Sequence, residues 1–154
     1  MRMLAQVDPP SWGVVWLLLV GGLVLLVFVG WLVIDLAKKA ADGRLGRNGI
    51  AGIRTKATRA SDEAWLAAHK AGLKGSVLAG RILMGSGIAA AALGLLIGYG
   101  NPTRTILVWG IRTILVWGIV VSVLPLVALA PAVMATTEGD RAAKAVARDL
   151  PADG

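Results

Sequence analysis

The chain of 154 residues has no cysteine and a single histidine, His69. Without cysteine there are no disulfides, no thiolate metal sites and no cysteine nucleophile. One histidine cannot build a site with several imidazole ligands. The sequence therefore predicts no metal site and no cofactor, and His69 is interpreted as a packing partner of Trp65, four residues earlier on the same helical face.

Charged residues are missing from long parts of the chain. Of three apolar runs, at 12–36, 82–99 and 113–137, the first contains only Asp35, and the others contain no Asp, Glu, Lys or Arg. A membrane-crossing helix needs about 20 apolar residues. With 56% hydrophobic residues and a mean hydropathy of +0.73, the chain is expected to be an all-α integral membrane protein with three transmembrane helices.

Acidic residues are fewer than basic ones, 9 against 16, and the basic residues are unevenly placed. Only Arg104 and Arg112 separate the second and third runs. Ten basic residues lie between the first two runs: Lys38, Lys39, Arg44, Arg47, Arg54, Lys56, Arg59, Lys70, Lys74 and Arg81. By the positive-inside rule, the loop 37–81 and the tail 138–154 are cytoplasmic and the N-terminus is outside. Topology accounts for the charge, so no nucleic-acid partner is expected.

Catalytic groups are also scarce. An enzyme needs paired carboxylates, a nucleophile with its base, or metal ligands, and a transporter usually has ionisable residues in mid-membrane. Asp35 is the only such residue in the three runs, at the inner end of the first. It could be a proton or cation site, but an ion pair with Lys38 or Lys39, three and four residues later, is favoured. The chain is therefore not expected to be an enzyme and has no predicted catalytic residue.

The segments between the runs predict a single membrane domain with structured surface parts. Glycines at 43, 46, 49 and 52 favour a turn-rich loop that follows the membrane surface. Ser61, followed by Asp62 and Glu63, predicts the start of a short amphipathic interfacial helix over 62–72, either separate or continuous with the second span. The tail is expected to be helical to about Asp149 and solvated.

The link before the third run contains an eight-residue duplication, since residues 104–111 are repeated as 112–119. Arg112 either lies inside an overlong span or marks its outer boundary, with 104–111 at the interface. The second placement is favoured because it leaves the third run free of charge. Pro125 and Pro131 predict kinks in this span.

A stripe of small residues recurs every four positions in the second run and can bring helix backbones together. It could serve internal packing or another chain, and it consists of Ser86, Ala90, Gly94 and Gly98.

Three cations and two hydroxyls are concentrated in the segment from Arg54 to Arg59. Such groups, near a helix N-terminus, can hold a phosphate or an anionic headgroup. The alternative is that they bind lipid non-specifically and fix topology. Together with their surroundings they form the candidate docking residues: Asn48, Gly52, Arg54, Thr55, Thr58, Arg59, Ser61, Glu63, Trp65 and His69.

This stretch resembles the SdpI/YfhL family of small bacterial membrane proteins. The resemblance is carried by Gly46-Arg47-Asn48, Gly52-Ile53-Arg54-Thr55, Thr58, Ser61, Glu63 and Trp65, with His69 near the usual closing Asn. The prolines that the family usually has before and inside this core are absent here, and Thr55 is followed by Lys56 and Ala57. The resemblance implies a multi-pass protein of the bacterial cell membrane. One founding member confers immunity to a secreted toxic peptide and sequesters a repressor at the membrane.

The favoured function is a non-enzymatic membrane interaction protein of this family type. Its cytoplasmic loop would dock a protein or anionic lipid of the inner leaflet, and its partner would be a membrane protein or a second copy of the chain. The alternative is an accessory subunit of a larger membrane enzyme or transport complex, which would co-purify with it in fixed stoichiometry.

Overall fold

The computed structural model describes residues 12–47, 52–99 and 106–149. Within these ranges every regular element is a helix. The three helices are α1 (Trp12–Ala41), α2 (Asp62–Tyr99) and α3 (Ile106–Asp149). The all-helical prediction is confirmed for this part of the chain. Asn48 and the residues 100–105, including Arg104, lie outside the described residues.

In the part of the chain that the structure describes, two helical stretches are long and apolar enough to cross a membrane. They are Val20–Ala41 and Asp62–Leu93, whose most apolar 18-residue windows have mean hydropathies of 2.4 and 1.6. The second contains 32 residues, which is more than the roughly 20 needed to cross the hydrocarbon. Only part of it therefore has to lie inside the bilayer.

The ends of the first two helices follow from local chemistry. After α1, the Gly43 N–H donates to the Ala40 carbonyl at 3.2 Å, and Gly43 has a φ of +75°, the left-handed conformation in which helices commonly end. At the start of α2, the Ser61 hydroxyl accepts the Ala64 N–H at 3.1 Å. The predicted helix start at Asp62 is confirmed.

The helix predicted over 62–72 is not a separate element. Residues 62–99 form one helix, which is the continuous alternative that the sequence left open. Gly72 is helical and buried against α3, since a methyl group built on it would meet the Ala135 carbonyl oxygen at 2.7 Å. Residues 62–72 are therefore the first part of a longer helix that packs against α3.

The third helix is longer than the predicted span at both ends. It begins at Ile106, so Arg112 lies within the helix, and the helix is continuous through Pro125 and Pro131. It also includes the tail as far as Asp149, as expected. The tail is not simply solvated, because Ala143 is fully buried against Ala64 and Ala68 of α2.

Helix α2 is central to the fold. Both α1 and α3 pack on it, whereas α1 and α3 do not pack on each other within the described residues. Close approach depends on glycine: a methyl group on Gly80 would meet the Gly30 carbonyl oxygen at 2.7 Å, and one on Gly75 would meet the Pro131 carbonyl oxygen at 2.6 Å. The first part of α2 and the last part of α3 thus form a tight antiparallel pair.

Candidate docking loop

The segment 52–61, called here the docking loop, is tied to α2 by an arginine that precedes it. Arg47 Nε donates to the Asp62 carboxylate at 2.6 Å, and its Nη1 donates to the Arg59 carbonyl at 3.1 Å. A guanidinium offers several donors in a fixed plane and so can hold two acceptors at once. Arg47 therefore fixes the end of the loop against the first residue of α2.

A compact turn forms the middle of the loop. The Thr58 hydroxyl accepts the Thr55 N–H at 2.9 Å and donates to the Ile53 carbonyl at 2.9 Å. In return, the Thr55 hydroxyl accepts the Thr58 N–H at 3.2 Å. Thr58 is completely buried. The two hydroxyls satisfy the backbone of their own turn, as short polar side chains in turns often do.

Trp65 and His69 form the floor beneath the loop. Their ring centroids are 4.2 Å apart, and both side chains are buried, Trp65 with only 2% exposure. The Trp65 indole N–H donates to the Leu45 carbonyl at 2.9 Å. The predicted contact between Trp65 and His69 is confirmed. It faces the loop and the segment after α1, so the two rings serve to hold these segments.

The hydrogen bonds of His69 specify a neutral imidazole. The Ile53 N–H donates to Nε2 at 2.9 Å, so Nε2 carries a lone pair. Nδ1, 2.8 Å from the Trp65 carbonyl, is then the protonated nitrogen and donates to it. His69 precedes the segment 82–99 that is predicted to cross the membrane. Burial removes the ring from water and lowers its pKa, although the bond to the Trp65 carbonyl acts in the opposite direction.

Gly52 lies directly on this floor. Its φ of +102° is a conformation that side chains other than glycine rarely adopt. A methyl group built on it would overlap His69 Nε2 and would meet Trp65 Cη2 at 3.0 Å. Glycine is required here both by the backbone conformation and by the two rings.

The loop also contacts α3. The end of the Ile53 side chain fills a notch between two glycines, since a methyl group would meet Ile53 Cδ1 at 2.7 Å if built on Gly72 and at 2.8 Å if built on Gly139. The Lys144 ammonium, 2.6 Å from the Asp140 carboxylate, is the main cause of the lowered pKa of Asp140, and a hydrogen bond from the Thr55 hydroxyl lowers this pKa further. The loop therefore bridges α2 and α3.

The cations of the loop point away from this framework. Arg54, Lys56 and Arg59 are exposed, and their side chains make no ion pair within the described residues. The neighbouring acid Asp62 is already paired with Arg47. A fixed turn thus presents three side-chain charges to solvent.

Asn48 lies outside the described residues, and the other nine predicted docking residues divide into two groups. Arg54, Arg59 and Glu63 are exposed and available to a partner. The others hold the loop in place, because their polar groups or rings are used inside it: Gly52, Thr55, Thr58, Ser61, Trp65 and His69. The idea that the two threonine hydroxyls bind a phosphate does not fit these bonds.

The residues missed by sequence reasoning act over long separations. Arg47 pairs with a residue 15 positions later, and Ile53 depends on a glycine far away in α3. No local periodicity identifies such contacts.

Asp35 pairs with Lys39 at 2.7 Å, so the favoured ion pair is confirmed.

The predicted small-residue stripe of α2 is described only in part. Ser86 and Ala90 are buried, whereas the surroundings of Gly94 and Gly98 lie outside the described side chains. The closest helix contacts occur instead at Gly75 and Gly80. The packing role of the stripe stays a prediction.

The apolar helices and the buried polar loop belong to a helical membrane protein with a structured surface loop. The model of the SdpI/YfhL protein family matches residues 44–135, which is more than half of the chain. The chain belongs to the SdpI/YfhL family. Neither a curated protein nor a solved structure matches it.

Proposed function

We propose that this member of the family is a non-enzymatic, three-span interaction protein whose docking loop binds a protein or anionic lipid at the cytoplasmic face. The observation that carries the proposal is the contrast within the loop. Its buried side, with Thr58 and Trp65, is fixed by hydrogen bonds, while Arg54, Lys56 and Arg59 are exposed. A surface fixed before binding loses less conformational entropy when a partner docks.

The proposed topology places the N-terminus outside and the loop and C-terminus in the cytoplasm of a bacterial cell. Its support is the concentration of lysine and arginine between the first two apolar runs. The absence of native cysteine makes a direct test possible. A cysteine at Arg59 should react with a membrane-impermeant maleimide only after the cells are opened, whereas one at Asp8 should react in intact cells. Labelling of Arg59→Cys in intact cells would disprove this topology.

The docking role is tested by affinity purification of the tagged protein from its native membrane in mild detergent. Trp65→Ala removes the floor of the loop and should abolish recovery of the bound partner or lipid without preventing membrane insertion. Trp31→Ala is the matched control, since Trp31 is an exposed tryptophan of α1. Equal recovery with both variants would contradict the docking role.

The same purification separates this proposal from the accessory-subunit alternative. A large membrane enzyme or transporter recovered in fixed stoichiometry would favour the alternative. Recovery of the chain alone, as a small homo-oligomer, or with a substoichiometric partner would favour an independent interaction protein.

A further inference from the structure

The exposed apolar side chains define where the bilayer ends on the loop side. In the described residues, the large exposed apolar side chains end at Trp31 in α1, begin at Leu78 in α2 and end at Met134 in α3. Helix packing places the last two limits on either side of Gly75, because Gly75 of α2 contacts Pro131 and Ala135 of α3. The inner edge of the apolar belt therefore lies close to Gly75.

Both helices continue well past this edge. Residues 62–74 of α2 are helical, as are 136–149 of α3, and at 1.5 Å per residue each segment is about 20 Å long. The headgroup layer adds only about 5–7 Å on each side of the hydrocarbon. The two segments and the docking loop, called here the extension, thus project beyond the headgroups.

Contacts along the extension give the height of each part of the loop. Ile53 lies beside Gly72, close to the edge. Ala57 packs on the cluster of Ala64, Ala68 and Ala143, farther out. Arg59 precedes the N-cap of α2 by two residues and is therefore at the outer end, about 20 Å from the edge. The distance of the loop from the apolar edge therefore increases from Arg54 to Arg59.

We propose that Lys56 and Arg59 dock an acidic polypeptide segment in the cytoplasm and do not bind lipid headgroups. This inference rests on the proposed function and specifies the partner of its loop. The attraction of a charge to the anionic leaflet decays within a Debye length, about 8 Å at physiological salt. Both side chains are exposed and make no ion pair within the described part of the chain, so their charge is available to carboxylates.

The first experiment measures height above the membrane. Single cysteines replace Arg59 or Lys74 in the full chain, carry a bimane label, and are placed in zwitterionic nanodiscs that contain a lipid with a nitroxide on its headgroup. The label at Lys74→Cys should be strongly quenched and the label at Arg59→Cys should not. Equal quenching at the two positions would overturn the inference.

The second experiment measures binding of a fluorescein-labelled decaglutamate peptide to the full chain in zwitterionic nanodiscs. The double variant Lys56→Gln, Arg59→Gln should bind about tenfold more weakly, as expected for two exposed charge pairs. The matched double variant Lys70→Gln, Lys74→Gln removes the same charge nearer the membrane and should change the affinity much less.

Two results would overturn the acidic-peptide inference. One is absence of peptide binding, and the other is an equal loss in the two double variants. The proposed function fails separately, if Trp65→Ala leaves recovery of the native partner unchanged. If recovery depends on Trp65 but not on Lys56 and Arg59, only the inference about the acidic segment is lost.

Discussion

Replacing Gly52 by alanine should detach the docking loop from its floor. At a φ of +102°, a residue with a Cβ costs about 1–2 kcal/mol. Forcing a methyl group against the rings of His69 and Trp65 costs about 1–3 kcal/mol more. Loss of the bond from the Ile53 N–H to His69 adds about 1 kcal/mol. We therefore expect the free energy of loop opening to fall by at least about 3 kcal/mol, the lower part of this sum.

The assay is hydrogen exchange of the loop amides, measured by mass spectrometry on the protein in nanodiscs. A loss of about 3 kcal/mol corresponds to a roughly 100-fold loss of protection. Two glycines provide matched controls. Gly43→Ala has a positive φ of +75° but meets only Leu66 Cδ1 at 3.8 Å, and Gly46→Ala meets nothing within 4 Å. Protection of the loop in Gly52→Ala equal to that in Gly46→Ala would refute the reasoning.

Three further predictions concern buried polar groups and helix packing. Thr58→Val removes the hydroxyl that bonds two backbone groups and should lower loop protection by about 1–3 kcal/mol, whereas Thr58→Ser should retain most of it in the same exchange assay. Because the folded-state pKa of His69 is lowered, loop stability should be full above about pH 7 and should decrease as the pH falls below about 6.5. After correction for intrinsic exchange rates, His69→Gln should abolish this dependence, and an unchanged dependence would assign it to another group. Gly80→Ala, whose methyl group would meet Ile34 Cγ1 at 2.6 Å, should destabilise the packing of α1 on α2 by about 1–3 kcal/mol. Gly85→Ala, with open space around it, should not, and equal thermal stability of the two variants in detergent would contradict the packing described here.

The helical class was predictable because apolar runs and caps are local signals. The start of α2 follows from Ser61 and the two acidic residues after it. In the structure the Ser61 hydroxyl accepts the Ala64 N–H, as expected for an N-cap. The lengths of the helices were harder to predict from the sequence. Residues 62–72 and 138–149 are polar enough to resemble surface segments, yet alanine and glycine at 64, 68, 72, 139 and 143 allow their backbones to pack closely. Small residues contribute little to hydropathy, so this pairing leaves a weak signal.

The sequence singled out the loop before α2, but it did not predict how the loop is held together. Hydroxyls beside cations suit a phosphate, so Thr55 and Thr58 were candidate ligands, whereas the structure uses both hydroxyls inside the turn. Side-chain hydroxyls can satisfy either a ligand or the neighbouring backbone, and composition does not distinguish the two. The role of Arg47 depends on the path of the chain between residues 47 and 62, which no spacing rule supplies.

The notch that receives Ile53 has a consequence for the order in which the protein is completed during synthesis. One wall of the notch is Gly72 of α2, and the other is Gly139 of α3, which a ribosome adds after both of the first two helices. The first two helices can insert and pair at Gly30 and Gly80 while α3 is still being made. The loop precedes α2 in the chain, but it reaches its final form only when the part of α3 around Gly139 has been made. A chain truncated just before Gly139 should therefore retain its apolar helices but have an unfinished loop.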